Sequence, residues 1–234
     1  MDLESKNIWV VGDIHAEWPK FNKWLSRKNY PDIVLQVGDF GWWPHYHNRQ
    51  GLSGKKFFDQ YGIRNKTTKI FWCDGNHENH DDLQALVKKH GITPIEVMPN
   101  VFYCPRGSTI SINGKNILFF GGASSIDKEM RIPGDSWWPG ENISQRDMAS
   151  LPDMEIHTVV SHTCPSKFTK FFNKRNFQHD SNALALNQIF DLYKPHRWYF
   201  GHYHLFDLSS CGQCNFTCLS NIEGEEIFSR QITF

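Results

Sequence analysis

Apolar residues in the first half of the chain come in short unbroken runs, each closed by a polar turn. Ile8-Trp9-Val10-Val11 ends at Gly12-Asp13. Ile33-Val34-Leu35-Gln36-Val37 ends at Gly38-Asp39, and Lys69-Ile70-Phe71-Trp72-Cys73 at Asp74-Gly75. Runs this short and this apolar predict strands buried on both faces. Between them the period changes. Phe21, Trp24 and Leu25 recur at helical spacing within Trp18 to Lys28, and Leu83, Leu86 and Val87 do so within Asp81 to His90. A further helix is expected over Gly51 to Tyr61. Strand alternating with helix predicts an α/β chain with a mainly parallel sheet and crossover helices.

The second half is more varied. Ser108 to Ile112, then Asn113-Gly114, then Asn116 to Phe120 predict a β-hairpin with an Asn-Gly turn. Ser124 to Asn142 is a polar and aromatic insertion without clear periodicity. Ser144 to Ser150 predicts a short helix with Ser144 as N-cap. Ile156 to Val160 predicts a buried strand, Asn182 to Tyr193 a helix, and Trp198-Tyr199-Phe200 a strand running into Gly201-His202. Lys167 to Gln178 reads as a loop or irregular helix, and Phe206 to Phe234 as two or three antiparallel strands. With no repeat, linker or low-complexity stretch, the 234 residues read as one domain, 1–234, with an insertion near 124–142.

Composition changes this picture in three places. Lys+Arg and Asp+Glu are both 25, so the formal net charge is zero, which argues against capture of long nucleic acid. A small phosphorylated substrate is still compatible with that balance. No leader-like or membrane-spanning run is visible, and the six cysteines form no secreted framework, so a cytoplasmic protein with reduced thiols and no membrane partner is expected. The sequence gives no reading of oligomeric state. The twelve histidines and nine tryptophans are high counts that point to sites.

Many of the histidines fall in five polar clusters, each where an apolar run ends: Asp13-Ile14-His15, Gly38-Asp39, Gly75-Asn76-His77-Glu78, Ser161-His162 and Gly201-His202-Tyr203-His204. In open α/β sheets ligands bind at the carboxyl ends of strands. A glycine ahead of a ligand lets the chain turn out of the sheet without a Cβ clash. A lone Asp-x-His is weak; five clusters in this setting offer carboxylate, amide oxygen and imidazole, the mixed donor set of a divalent metal site.

Taken together and in order, these clusters closely resemble those of the calcineurin-like metallophosphoesterases, over residues 12 to 204. The resemblance implies a four-layer α/β/β/α sandwich of two mixed sheets flanked by helices. It implies two divalent metal ions, with Asp13, His15 and His204 at the first, Asn76, His162 and His202 at the second, and Asp39 bridging. Manganese is the expected ion, with iron, zinc or nickel as alternatives. His202 and His204 lie two apart, so on a strict strand both would point one way, one to each metal. Two metals about 3.5–4 Å apart acidify a shared water and clamp phosphoryl oxygens during in-line attack. The resemblance makes His77 the phosphate contact and proton donor to the leaving oxygen, a role typically worth about 10²–10⁴-fold; capping the next helix is its alternative. Asn76 would touch phosphate as well as metal. Glu78 either orients a histidine or favours the positive end of the following helix.

The chain departs from the protein serine/threonine phosphatase branch after Asp39. Where that branch has Gly-Asp-x-x-Asp-Arg-Gly, this sequence reads Gly38-Asp39-Phe40-Gly41-Trp42-Trp43-Pro44. The expected Asp-Arg is replaced by aromatics. Trp137-Trp138-Pro139 repeats the motif in the insertion, whose Gly121 to Lys128 and Arg131 resemble uncharacterised bacterial and phage members of the family. Lys128 or Arg131 would offset phosphate charge, and Trp138 would stack on a base; alternatively the tryptophans anchor loops. Lys167, Lys170, Lys174 and Arg175, interleaved with Phe168, Phe171, Phe172 and Phe177, read as a strand-contacting segment or a solvated face. Cys211, Cys214 and Cys218 are three of the four ligands a zinc site needs, or simply reduced neighbours.

The reading is a hydrolase of phosphate mono- or diesters, with a nucleotide-type substrate favoured and attack by a hydroxide held between two metals. A phosphoprotein phosphatase, a nuclease and a non-catalytic scaffold are the alternatives.

Overall fold

The computed structural model describes residues 1–42, 62–64, 67–171 and 181–234. The helix expected over Gly51 to Tyr61, Trp43 and Pro44, and Phe172, Lys174, Arg175 and Phe177 lie outside the described residues.

Among the described residues the chain forms two sheets, and the first has six strands. β2 (Ile8–Val11), β3 (Ile33–Gln36), β4 (Lys69–Trp72) and β6 (Val101–Tyr103) run parallel, with β5 (Ile95–Met98) and β13 (Ser229–Ile232) antiparallel at the two edges. The second has seven. β8 (Lys115–Phe120), β9 (Thr158–Ser161), β10 (Arg197–Phe200) and β12 (Cys214–Cys218) run parallel, with β7 (Thr109–Ile112) and β11 (Asp207–Cys211) antiparallel to their neighbours and β1 (Asp2–Leu3) beyond β7.

Alternation along each strand makes the layers. Ile8, Val10, Ile33, Leu35 and Phe71 meet Ile110, Ile117, Phe119, Val160 and Tyr199 between the two sheets. On the outer face of the six-stranded sheet, Val34, Ile70 and Trp72 pack with Trp18, Phe21, Trp24 and Leu25 of α1 (Trp18–Arg27) and Leu83 of α2 (His80–His90). On the other side, Leu118, Phe120, Trp198 and Phe200 pack with Phe168 of the short α4 (Ser166–Thr169) and Leu186 and Ile189 of α5 (Ser181–Tyr193). Both faces of each central strand are buried, which is why these strands read as continuous apolar runs. The result is the α/β/β/α sandwich that the resemblance implied.

Ser144 caps α3 (Gln145–Met148) in a reciprocal capping box with Asp147. Three features were not legible. The hairpin β5–β6 is too short for a clear pattern, and its pairing shifts register between Glu96 and Met98. The tail divides: β11 and β12 join the seven-stranded sheet, while β13 crosses to pair with β2 of the other. The insertion contains two 3-10 turns, Lys128–Met130 and Pro139–Glu141. Among the described residues no helix is long and apolar enough to cross a membrane.

Candidate metal centre

The five clusters leave the carboxyl ends of β2, β3 and β4 on one sheet and of β9 and β10 on the other, so both sheets deliver them to one edge of the sandwich. The loops are then laced to one another. Gln36 donates to the carbonyls of Gly12 and Gly38, joining the first two turns. The amides of Ile14 and His15 donate to the carbonyl of Asp39 at 3.0 and 2.8 Å. His77 N donates to Asp39 Oδ1 at 2.8 Å, and His202 N to Asp13 Oδ2 at 3.1 Å. The carboxylates are thus fixed by backbone N–H groups from the loops they face.

Two glycines are required by this packing. Gly38 has φ +98°, and a Cβ there would sit 2.6 Å from His162 Nδ1. Gly201 has no unusual φ, but its Cβ would run into the Asp13 carboxylate. Its reason is close approach and not the sharp turn the sequence suggests.

Among the described residues Glu78 accepts from backbone amides and not from a histidine. It is fully buried, and accepts from Gly41 N at 3.0 Å and Gly75 N at 2.6 Å, clamping the Asp39 loop to the Asn76 loop. Burial, then the nearby Asp39, push its pKa up to about 8. His77 does not cap α2; Asn79 does, accepting from Asp82 N at 3.1 Å.

The donors form two groups. In the first, His15 Nε2 and His204 Nε2 face each other at 3.1 Å, and His204 Nε2 is 3.2 Å from Asp13 Oδ2. In the second, Asn76 Oδ1 lies 3.1 Å from both His162 Nε2 and His202 Nδ1. Asp39 Oδ2 stands between, 3.3 Å from His162 Nε2 and 3.8 Å from His15 Nδ1. Asp13, His15 and His204 place one donor atom each within 4.8 Å of one another, as do Asp13, Asp39 and His162. His202 and His204 do not lie on a strand. They follow β10 in a turn, with φ +67° and +51°, so the expected strand alternation does not aim them.

The electrostatics fit a cation. His162 is fully buried; burial lowers its pKa, but Asp39 and Asp13 outweigh this and raise it to about 10. His162 Nδ1 is 2.9 Å from the Val37 carbonyl and donates to it, so Nε2 faces the cluster. Asp39 is held well below the usual carboxylate range, burial being outweighed by His162 and His77. Burial and then His162 hold His202 down at about 3, so it is a neutral imidazole with a lone pair to offer. Two buried carboxylates, an amide oxygen, the neutral imidazole of His202 and that of His162, whose proton a metal ion would displace, suit divalent ions of the manganese-to-zinc series.

The calcineurin-like phosphoesterase family model matches residues 6–206, a span holding every one of these donors. The chain belongs to the calcineurin-like phosphoesterases. Among curated proteins it is 24% identical over 209 residues to the lariat debranching enzyme of Schizosaccharomyces pombe, covering 77% of this chain and 44% of that protein. The chain therefore spans less than half the length of that relative. Among solved structures it resembles TT1561 of Thermus thermophilus, with TM-score 0.51 and 11% identity over 93% of this chain and 90% of the other, a likeness of fold. The phosphopantetheinyl hydrolase of Mycobacterium tuberculosis matches with TM-score 0.48 and 13% identity, over 97% and 95% of the two chains.

In this chain the insertion reaches the centre through Arg131. Its Nη2 is 2.9 Å from His77 Nε2 and forms a 2.8 Å ion pair with Asp127 Oδ1, while Nη1 is buried and has no hydrogen-bond partner among the described residues. Guanidinium only donates, so His77 Nε2 accepts here and the ring is neutral. Burial, with Asp39 opposing it and His15 and Arg131 adding to it, lowers the His77 pKa. Lys128 is exposed on its 3-10 turn.

Trp42 and Trp138 behave as anchors. Trp138, expected to stack on a substrate, is 4% exposed and offers no open face. Trp42 packs on the helix-side core, its ring 6.1 Å from Trp72. Phe168 is likewise core, stacked on Phe216, and Lys167 pairs with Asp191. Cys211 and Cys214 face each other across the β11–β12 hairpin, and among the described residues the ligand-like clusters contain only Asp and His.

Four residues near the centre were not picked out from sequence: Arg106, Ser125, Asp127 and Glu141. Only Asp127 had a local signal, its i,i+4 spacing to Arg131. Arg106 is a buried hub. It grips Asp74 Oδ2 through Nε at 3.0 Å and Nη2 at 2.6 Å, reaches Asp147 Oδ2 at 3.1 Å, and donates to the carbonyls of Gly140, Glu141 and Asn142.

Proposed function

We propose that the chain hydrolyses phosphoric esters with two divalent metal ions, one at Asp13, His15 and His204 and one at Asn76, His162 and His202, with Asp39 shared. The observation that supports this most is the position of Asp39 Oδ2, within 4 Å of a histidine of each group. Such ions, when bound, acidify a water and neutralise phosphoryl charge. Asp39 and Asp13 hold the negative charge that retains them, His202 presents a nitrogen lone pair, and His162 would present one once a bound ion displaced its Nε2 proton. Arg131 gives its unpaired Nη1 to a phosphoryl oxygen. When Arg131 turns toward phosphate it gives up its hydrogen bond to His77 Nε2, and Asp39 Oδ2 at 4.0 Å favours a proton there for the leaving oxygen.

A small nucleotide-type ester is favoured over a phosphoprotein. The Asp-Arg pair of the protein phosphatase branch is absent after Asp39, and the Schizosaccharomyces pombe relative is a lariat debranching enzyme. Stacking on Trp138 no longer supports that preference, because the ring is buried.

The test is turnover of a generic monoester and a generic diester with manganese. Asp39→Asn is expected to abolish metal-dependent activity, and full activity in that variant would refute the shared role. His77→Ala is expected to keep the metals and slow turnover about 10²–10⁴-fold. Unchanged rates with a poor leaving group would remove the acid assignment.

A further inference from the structure

Asn76 is a candidate ligand that a rotation alone can spoil. Its amide carries an oxygen that accepts and a nitrogen that only donates, and the two are close in size. A flip about the last side-chain torsion would turn N–H groups toward the cation and the carbonyl away from it. Something must choose between the two orientations.

The choice is made by hydrogen-bond polarity behind the amide. Asn76 Nδ2 is 3.2 Å from Ser125 Oγ. Ser125 Oγ is 2.6 Å from Glu141 Oε2, and Ser125 N is 2.9 Å from Glu141 Oε1. A carboxylate only accepts, so the one hydroxyl proton of Ser125 goes to Glu141. Oγ is left with lone pairs toward Asn76, and only an N–H satisfies them. The oxygen Oδ1 is thereby sent to the other side, toward His162 and His202. Asn76, Ser125 and Glu141 are 5%, 4% and 1% exposed, so bulk water has little access to replace any member. Glu141 is fixed in turn, its carbonyl accepting from Ala123 N at 3.2 Å and Arg106 Nη2 at 3.0 Å.

We propose that Ser125 and Glu141 are positioning residues that hold the Asn76 amide with its oxygen toward the second metal. This rests on the two-metal reading above. It assigns the insertion a task inside the centre, beyond delivering Arg131 to its rim.

Two measurements test it. The first needs no metal: hydrogen exchange of the Asn76 side-chain amide in ¹⁵N-labelled, metal-free protein, assigned by its loss in Asn76→Asp. Exchange is expected to be slow in the wild type and in Ser125→Thr, which keeps the hydroxyl. It should be about tenfold faster in Ser125→Ala and Glu141→Gln, the weight of one ordinary hydrogen bond. Equal exchange in Ser125→Ala and wild type overturns the relay. The second is titration of metal-free protein with Mn²⁺, following the free ion by electron paramagnetic resonance. Wild type and Ser125→Thr should take up two ions. Ser125→Ala and Glu141→Gln should keep one at wild-type affinity and hold the other about 10–100-fold more weakly. Equal weakening of both sites would mark a general structural role and overturn the proposal. A wild type that takes up fewer than two ions sinks the two-metal reading, and amide exchange then still decides the relay.

Discussion

His15, Asp39, His202 and His204 all hold left-handed backbone, with φ of +49°, +51°, +67° and +51°. Each such residue costs about 1–3 kcal/mol unless its surroundings over-determine it. Here they do: the carboxylates accept from loop amides, and Glu78 ties two loops together. That gives Glu78 a measurable weight. Glu78→Gln puts an amide N–H against one of the two backbone donors, and should destabilise the metal-free protein by about 1–3 kcal/mol. Thermal unfolding checks this; an unchanged midpoint would mean the clamp contributes nothing. The type of each candidate ligand was legible, because ligand chemistry is a property of the side chain. The role of Glu78 was not, since its partners Gly41 and Gly75 are identified only when the two loops meet.

At the scale of elements, the insertion is held by Arg106. Arg106→Ala would leave Asp74 buried without its partner, which should cost about 3–5 kcal/mol. Denaturant unfolding measures it, and a loss below about 1 kcal/mol, the range of exposed pairs, would show that the hub is dispensable. Asp147 links this hub to the cap of α3 and gives a pH signature. Burial raises its pKa, but Arg106 and the Ser144 N–H outweigh this and lower it. A group whose folded pKa is depressed adds stability above its unfolded pKa and loses it as pH falls. The wild type should therefore shed this contribution below pH of about 4, the ordinary aspartate value. Asp147→Asn should be less stable at pH 7 and show a shallower acid limb; parallel limbs would refute the link. Local chemistry made α3 readable, because a capping box is complete within four residues. Nothing local revealed that β13 crosses to the other sheet, since its pattern fits an edge strand of either.

For the whole molecule, both sheets are pinned by a centre that gathers buried carboxylates and imidazoles at their shared edge. A bound ion relieves that charge and binds only the folded chain, so it should stabilise the fold. At a free manganese concentration a hundred times its dissociation constant the gain is about 2.7 kcal/mol per site. Melting temperature should rise with manganese and fall with chelator, and the rise should vanish in Asp39→Asn. A manganese response in that variant equal to the wild type would show that the ions bind elsewhere.

The sequence by itself determined the alternation of strands and helices and the donor types, and the layer order came with the family resemblance. Buried strands must be apolar on both faces, helices must repeat at their own period, and carboxylate, amide oxygen and imidazole are donors by their own chemistry whatever surrounds them. Tertiary structure alone decided which way those donors point. His202 and His204 are aimed by a left-handed turn, Trp138 faces inward as an anchor, and Arg131 ends beside His77, 54 positions away in the chain. The physical reason is range. Periodicity and capping act over a few residues, whereas a hydrogen bond from Asn76 to Ser125 exists only after two distant loops have closed on the same edge.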